Sequence, residues 1–365
     1  MTQILIQKQQ DLKALCKSIK RGDIIAIDLE FMRQTTFYPI LCLIQINFNS
    51  QYFIIDVLAE DLNLKPFAKI LKSRSITKIL HSSFQDLEVI FGKFKLIPRA
   101  TFDTQLMANF LGYNFNISYV SLVEDLFNST ISKEEQMSDW QKRPLSSSQI
   151  EYAINDVKYL PEIYQILKKR LEEQNKLNYF LAETKLVLKK NYNINKQNIF
   201  RKFSLTTKNA AYFTKLKSLI LWRDKVAKEK NIPRSFILKD DILNEIAKND
   251  PKNLKQLKEI LDLQKAKRTN LGKDILAVLK KAKTNKKLKA KVLNNKLSEK
   301  QKTIYQKAQN LLQEKSSSYQ IRPELIINQG DLKQIILKNL KLKKALFGWR
   351  YVVFGKELKK LINKK

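Results

Sequence analysis

Asp28 and Glu30 stand two apart at the end of the apolar run Ile24-Ile25-Ala26-Ile27. An uninterrupted run of this kind suits a strand buried on both faces of a sheet. Side chains i and i+2 of a strand leave the same face, so the two carboxylates point at one spot. Carboxylates beside a core strand are costly unless a cation or a donor meets them. The pair reads either as a strand end in solvent or as the start of a site for a hard divalent cation, which takes oxygen ligands. Asp86 follows in the stretch His81-Ser82-Ser83-Phe84-Gln85-Asp86. Tyr152 and Asp156 are four apart, on one face of a helix. Four carboxylates, Asp28, Glu30, Asp86 and Asp156, can hold two cations for phosphodiester cleavage, with the Tyr152 phenol beside the attacking water.

Composition removes most other chemistry. Seven glycines, scattered, leave no glycine-rich phosphate loop or dinucleotide fingerprint. One histidine and two distant cysteines, Cys16 and Cys42, cannot build an ordinary structural zinc site. Such sparse cysteine argues for a reducing compartment, and the polar Met1–Lys20 stretch has no signal-peptide core. The apolar run from Pro39 to Ile46 is too short to span a bilayer. A soluble, cytoplasmic protein without membrane contact is expected. The charge is divided: lysine plus arginine balances aspartate plus glutamate up to Asp156, so the whole excess of +34 lies beyond it. A neutral, carboxylate-bearing part beside a basic one suggests a catalytic module with a polyanion-binding appendage, although lysines that merely solvate helix faces would look the same.

The elements that position these residues are legible in outline. A helix is expected over Asp11–Lys20, then strands over Ile24–Phe31, Leu41–Phe48 and Gln51–Asp56, the last two joined by a hairpin turn at Asn47-Phe48-Asn49-Ser50. Helices at Asn63–Ser73, from Asp86, at Thr104–Leu111 and at Ser118–Phe127 alternate with short strands at Thr77–His81 and Thr101–Asp103. This order indicates an α/β layer fold with a mixed sheet. Ser146-x-x-Gln149 is a capping box that opens the helix of Tyr152 and Asp156, and Pro161 should kink or restart it. Asn191–Gln197 reads as a linker. Beyond Thr206 strand signals vanish and helices are expected at Thr206–Lys230, Lys239–Asn249, Asn253–Leu261 and Gly272–Lys283. A lysine-rich run, Lys280–Lys296, then leads to a second helical unit over Ser298–Ile362, which makes a weak internal repeat.

On these motifs the chain resembles the DEDD 3′–5′ exonucleases and, within them, the ribonuclease D family. The first motif is Ile27-Asp28-Leu29-Glu30-Phe31, continued by Tyr38-Pro39-Ile40-Leu41-Cys42-Leu43-Ile44-Gln45-Ile46. The second is His81–Val89 and the third Tyr152-Ala153-Ile154-Asn155-Asp156. Asp139-Trp140-Gln141-Lys142-Arg143-Pro144-Leu145 is similar to a further element of that family. The sole histidine precedes Asp86, so Tyr152 places the resemblance in the tyrosine branch. Leu221-Trp222-Arg223-Asp224 and Ile232–Leu243 resemble the helicase-and-RNase-D C-terminal (HRDC) domain, with a diverged second copy ending near Gly348-Trp349-Arg350. The resemblance covers residues 1–285 well and the remainder loosely.

The resemblance implies an RNase-H-like mixed sheet with flanking helices, followed by two small all-α domains. The expected ranges are 1–190 for the exonuclease, 206–285 for the first HRDC-type domain and 296–365 for the second. It further implies removal of nucleotides one at a time from RNA 3′ ends, usually those of tRNA precursors. Water would attack the terminal phosphodiester, releasing a nucleoside 5′-monophosphate. Asp28, Glu30, Asp86 and Asp156 would hold two divalent cations, Mg²⁺ or Mn²⁺, and Tyr152 would orient or help deprotonate the water. RNA is the implied partner, and no obligate protein partner is evident. The same chemistry on DNA, or a non-catalytic RNA-binding protein on a nuclease fold, are the rival readings.

His81 reads as a packed residue at a strand end, Asp103 as a helix N-cap, and Glu88 as solvated, pointing away from the face of Asp86. Gln45 and Tyr38 either touch substrate or pack. Trp222 and Trp349 read as core anchors. Lys280–Lys296 is either a phosphate-tracking patch or a solvated connector.

Overall fold

The computed structural model describes residues 3–132, 134–190, 192, 199–200, 210–263, 271–284 and 296–363. The first part holds strands β1 (Gln3–Ile6), β2 (Ile24–Met32), β3 (Ile40–Phe48), β4 (Gln51–Asp56), β5 (Thr77–Leu80) and β6 (Thr101–Asp103). Its helices are α1 (Gln9–Ser18), α2 (Lys65–Lys72), α3 (Phe84–Phe94), α4 (Thr104–Phe110), α5 (Tyr119–Phe127), α6 (Ser147–Lys158), α7 (Leu160–Glu173) and α8 (Leu177–Lys189). The six strands form one mixed sheet in the order β1-β4-β3-β2-β5-β6. β2 is central, antiparallel to β3 and parallel to β5. The expected hairpin joins β3 to β4 through Asn49 and Ser50, both with positive φ, as a tight two-residue turn between right-twisted strands requires.

Apolar side chains cover both faces of the sheet, which is why β2 reads as a continuous hydrophobic run. Ile25, Ile27 and Leu29 enter one core with α1 and α2 residues such as Leu12, Leu15 and Phe67. Ala26 enters the other, with Met107, Ala153, Val157 and Phe180. The two-residue period therefore aims Asp28 and Glu30 at the second face, where α6 packs across β2, β3 and β4. A register shift in the β2–β3 ladder falls between Glu30 and Phe31, a local irregularity of the kind that re-aims side chains beside active sites. The chain also restarts as expected: α6 ends at Lys158, and α7 begins at once with Pro161 in its first turn, where its missing N–H costs nothing.

Two features depart from the sequence reading. β1 was not expected; it is a four-residue edge strand, parallel to β4, held by a pairing partner some fifty residues away. Glu88 is buried rather than solvated. Asp86, Leu87, Glu88, Val89 and Ile90 are all buried, so the middle of α3 is enclosed on every side and has no solvent face to give Glu88.

Helices α9 (Ala210–Glu229), α10 (Arg234–Ile237), α11 (Asp240–Asn249), α12 (Leu254–Leu263) and α13 (Gly272–Thr284) follow. The last region contains α14 (Glu299–Tyr319), α15 (Pro323–Ile326), α16 (Gln329–Ile336), α17 (Leu342–Ala345), a π-helical turn at Tyr351–Gly355 and α18 (Lys356–Asn363). The linker expected at Asn191–Gln197 lies, apart from Tyr192, outside the described residues, as does the lysine-rich run from residue 285 to 295. The chain divides into two compact units: residues 1–32, 40–193 and 296–365 form one, and residues 33–39 with 194–295 form the other.

The helical unit explains its own motif. Arg223 donates to the Leu238 carbonyl and to Asp240, both at 2.6 Å, tying α9 to the start of α11. Asp224 receives Arg234 and Lys228. The link between β2 and β3 joins this unit: Phe37 is buried in its core with the Arg234 guanidinium 4.7 Å from its ring, and the Tyr38 N–H donates to Asn231.

In the first unit, α14–α18 share a core with the sheet's second face. Trp349, buried as expected, packs edge-on against Phe110 and stacks on Tyr179. Its indole N–H donates to Glu183, which also receives Arg350. The suspected repeat has a local counterpart. Asn231 and Gln320, both left-handed, end long helices, and each is followed by a four-residue helix with an extended C-cap. Among the described residues, no helix is long and apolar enough to cross a membrane.

Candidate active site

Three of the four expected carboxylates meet. Each of Asp28, Glu30 and Asp156 offers an oxygen, and these oxygens lie within 4.8 Å of one another. No other such group of three occurs among the described residues. Asp86, buried on the first turn of α3, falls outside that triangle, yet it is close enough for Asp28 and Asp156 to act on its charge. Tyr152 stands one turn before Asp156 on α6, close enough for the Asp156 charge to act on its phenol.

Several contacts fix α6 in register over β2. The Ser146 hydroxyl and the Gln149 amide form the expected capping box at its start. At its end, the Asn47 amide donates to the carbonyls of Val157 at 3.1 Å and Lys158 at 2.9 Å. The Tyr119 hydroxyl donates to the Asn155 carbonyl at 2.8 Å and accepts from the Tyr159 N–H at 3.0 Å, bridging the break between α6 and α7. Trp140 is buried with its ring centroid 5.9 Å from that of Tyr152. Arg143 secures that loop by two bonds to Asp56, at 2.6 and 2.8 Å, and Gln7 adds a third at 3.0 Å. The Asp139–Leu145 element thus works as a brace behind Tyr152. Tyr119 and Asn47 carried no sequence signal, because their partners are backbone atoms far along the chain.

Asp103 caps α4 as expected, accepting from the N–H groups of Gln105 and Leu106. It also accepts from the backbone of Ser82 and Ser83, and so shapes the turn that launches α3 and Asp86. His81 contacts Thr104 Oγ1 at 2.9 Å and the Ile117 carbonyl at 3.0 Å, so both ring nitrogens are engaged in packing rather than in the triangle. Gln45 is fully buried and cannot touch a substrate. Tyr38 is partly exposed within the helical unit.

The electrostatics follow from crowding like charges in a dry place. Burial pushes the Asp28 carboxyl up to about 7. Burial, then repulsion from Asp28, Asp156 and Asp86, pushes Glu30 up to about 10. Burial and Asp28 push Asp156 up to about 8, against the opposing influence of the nearby Tyr152 hydroxyl. Asp86 is raised well above the usual carboxylate range, mainly by burial. Burial and the nearby carboxylates also raise the Tyr152 phenol, which stays protonated. Such a set is strained as anions and relieved by positive charge. All-oxygen donors that are crowded, buried and short of counter-charge fit hard divalent cations.

The chain is similar to known proteins along nearly its whole length. A family described as 3'-5' exonuclease matches residues 3–172, and the HRDC domain matches residues 214–279. Ribonuclease D of Bartonella henselae is 32% identical over 99% of this chain and 90% of its own length. Ribonuclease D of Granulibacter bethesdensis is 32% identical over 98% of this chain and 92% of its own. The crystal structure of Escherichia coli RNase D, described as an exoribonuclease involved in structured RNA processing, superposes with a TM-score of 0.88. It is 27% identical, with 100% of this chain and 99% of that one covered.

Proposed function

Because this chain belongs to the ribonuclease D family of metal-dependent 3′–5′ exonucleases, we propose that it trims RNA from the 3′ end, one nucleotide at a time. tRNA precursors in the cytoplasm are its proposed substrate, and nucleoside 5′-monophosphates its product. The observation that carries this reading is the convergence of Asp28, Glu30 and Asp156 within 4.8 Å, with Tyr152 one helical turn from Asp156.

Asp28, Glu30, Asp86 and Asp156 hold two divalent cations, Mg²⁺ or Mn²⁺. When bound, these supply the charge that activates water and stabilises the leaving 3′ oxygen. The four side chains arrive on three elements, β2, α3 and α6, so the donors are set before substrate enters. Tyr152 orients the attacking water: a phenol whose pKa burial has raised holds its proton and is a poor base. Trp140 keeps that ring from swinging away. The basic excess beyond Asp156 grips phosphates along the RNA. The ranges 1–190, 206–285 and 296–365 are the proposed division into catalytic and RNA-gripping domains.

Purified protein incubated with a 3′-extended tRNA and a matched single-stranded DNA, with and without Mg²⁺, tests the reading. Stepwise, Mg²⁺-dependent shortening of the RNA with release of 5′-monophosphates is expected. Preference for the DNA would point to a DNA exonuclease, and binding without cleavage to a non-catalytic RNA-binding protein.

A further inference from the structure

We propose that Gln45 is a positioning residue of the cation site, acting through Asp28; this rests on the cation reading above. Gln45 lies on β3 directly opposite Asp28 on β2. Opposed residues of an antiparallel pair share a face, with Cβ atoms about 4.5–5.5 Å apart. The Gln45 amide therefore points to the side of the sheet on which the carboxylates gather. Its neighbour on that face, Asn47, is pinned beneath the end of α6 by the Val157 and Lys158 carbonyls. Two residues back along β3, Gln45 sits beside Asp28 on the face of the sheet that α6 covers.

Gln45 is fully buried, and neither its Nε2 nor its Oε1 has a hydrogen-bond partner. Packing alone gives no reason for an amide here, since leaving a buried polar group unpaired is costly and a methionine or leucine would fill the space. An amide donor beside a carboxylate has a use where that carboxylate must be held in one orientation. A cation held by one oxygen of Asp28 would leave the other oxygen, turned away from the ion, in need of a donor. Rotation of the Gln45 amide supplies Nε2–H to it within the reach set by the register. Such outer-shell donors orient ligands, and removing one commonly lowers metal affinity 10–100-fold.

Calorimetric titration of Mn²⁺ into the full chain tests this on wild type, Gln45→Met and Gln45→Leu, with thermal unfolding of each in EDTA. Roughly 10–100-fold weaker Mn²⁺ binding is expected in both variants. Their cation-free stability should be unchanged or higher, because an unpaired amide has been removed. A purely structural Gln45 predicts the reverse: lower cation-free stability with wild-type affinity in whichever variant folds. Equal affinity in wild type and Gln45→Met would overturn the proposal alone. A wild-type chain that binds no Mn²⁺ would overturn the cation reading and this proposal with it.

Discussion

Replacing Glu30 with glutamine should make the cation-free protein more stable near neutral pH while weakening its response to Mg²⁺. Glu30 is pushed up to about 10 by burial and by three neighbouring carboxylates, from an ordinary value of 4.5. At pH 7 the folded chain therefore keeps a proton that the unfolded chain has released. Between about pH 4.5 and 10 the native state binds more protons, so the contribution of Glu30 to stability is full below this window and falls as pH rises through it. At 1.36 kcal/mol per unit, the interval from 4.5 to 7 amounts to about 3 kcal/mol.

Glutamine keeps the shape of the protonated side chain and has no proton to lose. Relative to its offset from wild type at pH 4.5, Glu30→Gln should thus gain about 3 kcal/mol at pH 7, or roughly 6–12 °C in Tm. Urea and thermal unfolding in EDTA at the two pH values, followed by tryptophan fluorescence, measure this. Saturating Mg²⁺ should raise the wild-type Tm more than that of the variant. Parallel pH profiles for the two proteins, or a relative loss in the variant at pH 7, would refute the crowding argument.

Asp28→Asn and Asp156→Asn should each abolish Mg²⁺-dependent hydrolysis with an unchanged circular dichroism spectrum, as should EDTA in wild type; full activity in either variant would defeat the two-cation reading. Tyr152→Phe should lower kcat by about 10²–10⁴-fold with little change in RNA affinity, measured by single-turnover cleavage and equilibrium binding. Glu183→Ala leaves Arg350 and the Trp349 indole without their carboxylate, and should destabilise the first unit by about 3 kcal/mol in denaturant unfolding. Cation affinity should be retained in that variant, since Glu183 is not among the carboxylates of the site.

Whatever the chain decides through neighbours a few residues apart could be read from the sequence. The β2 run, its i, i+2 carboxylates, the Asn49-Ser50 hairpin, the Ser146 capping box and the restart at Pro161 all express backbone geometry within one or two turns. Tertiary structure decided what depends on distant partners. β1 exists only because β4 offers an edge. Glu88 is buried because α3 is enclosed all round, which periodicity along one helix cannot reveal. Asp28, Glu30 and Asp156 close into a triangle while Asp86 stands outside it, a distinction set by how α3 and α6 pack on the sheet. Residues 33–39 join the helical unit, and side chains from Leu297 to Ile362 share the core of the sheet. These outcomes turn on long-range packing and burial, which one-dimensional spacing does not encode. The same holds for Gln45: its type is visible in the first motif, but its burial, its unpaired amide and its place across from Asp28 exist only in the folded sheet.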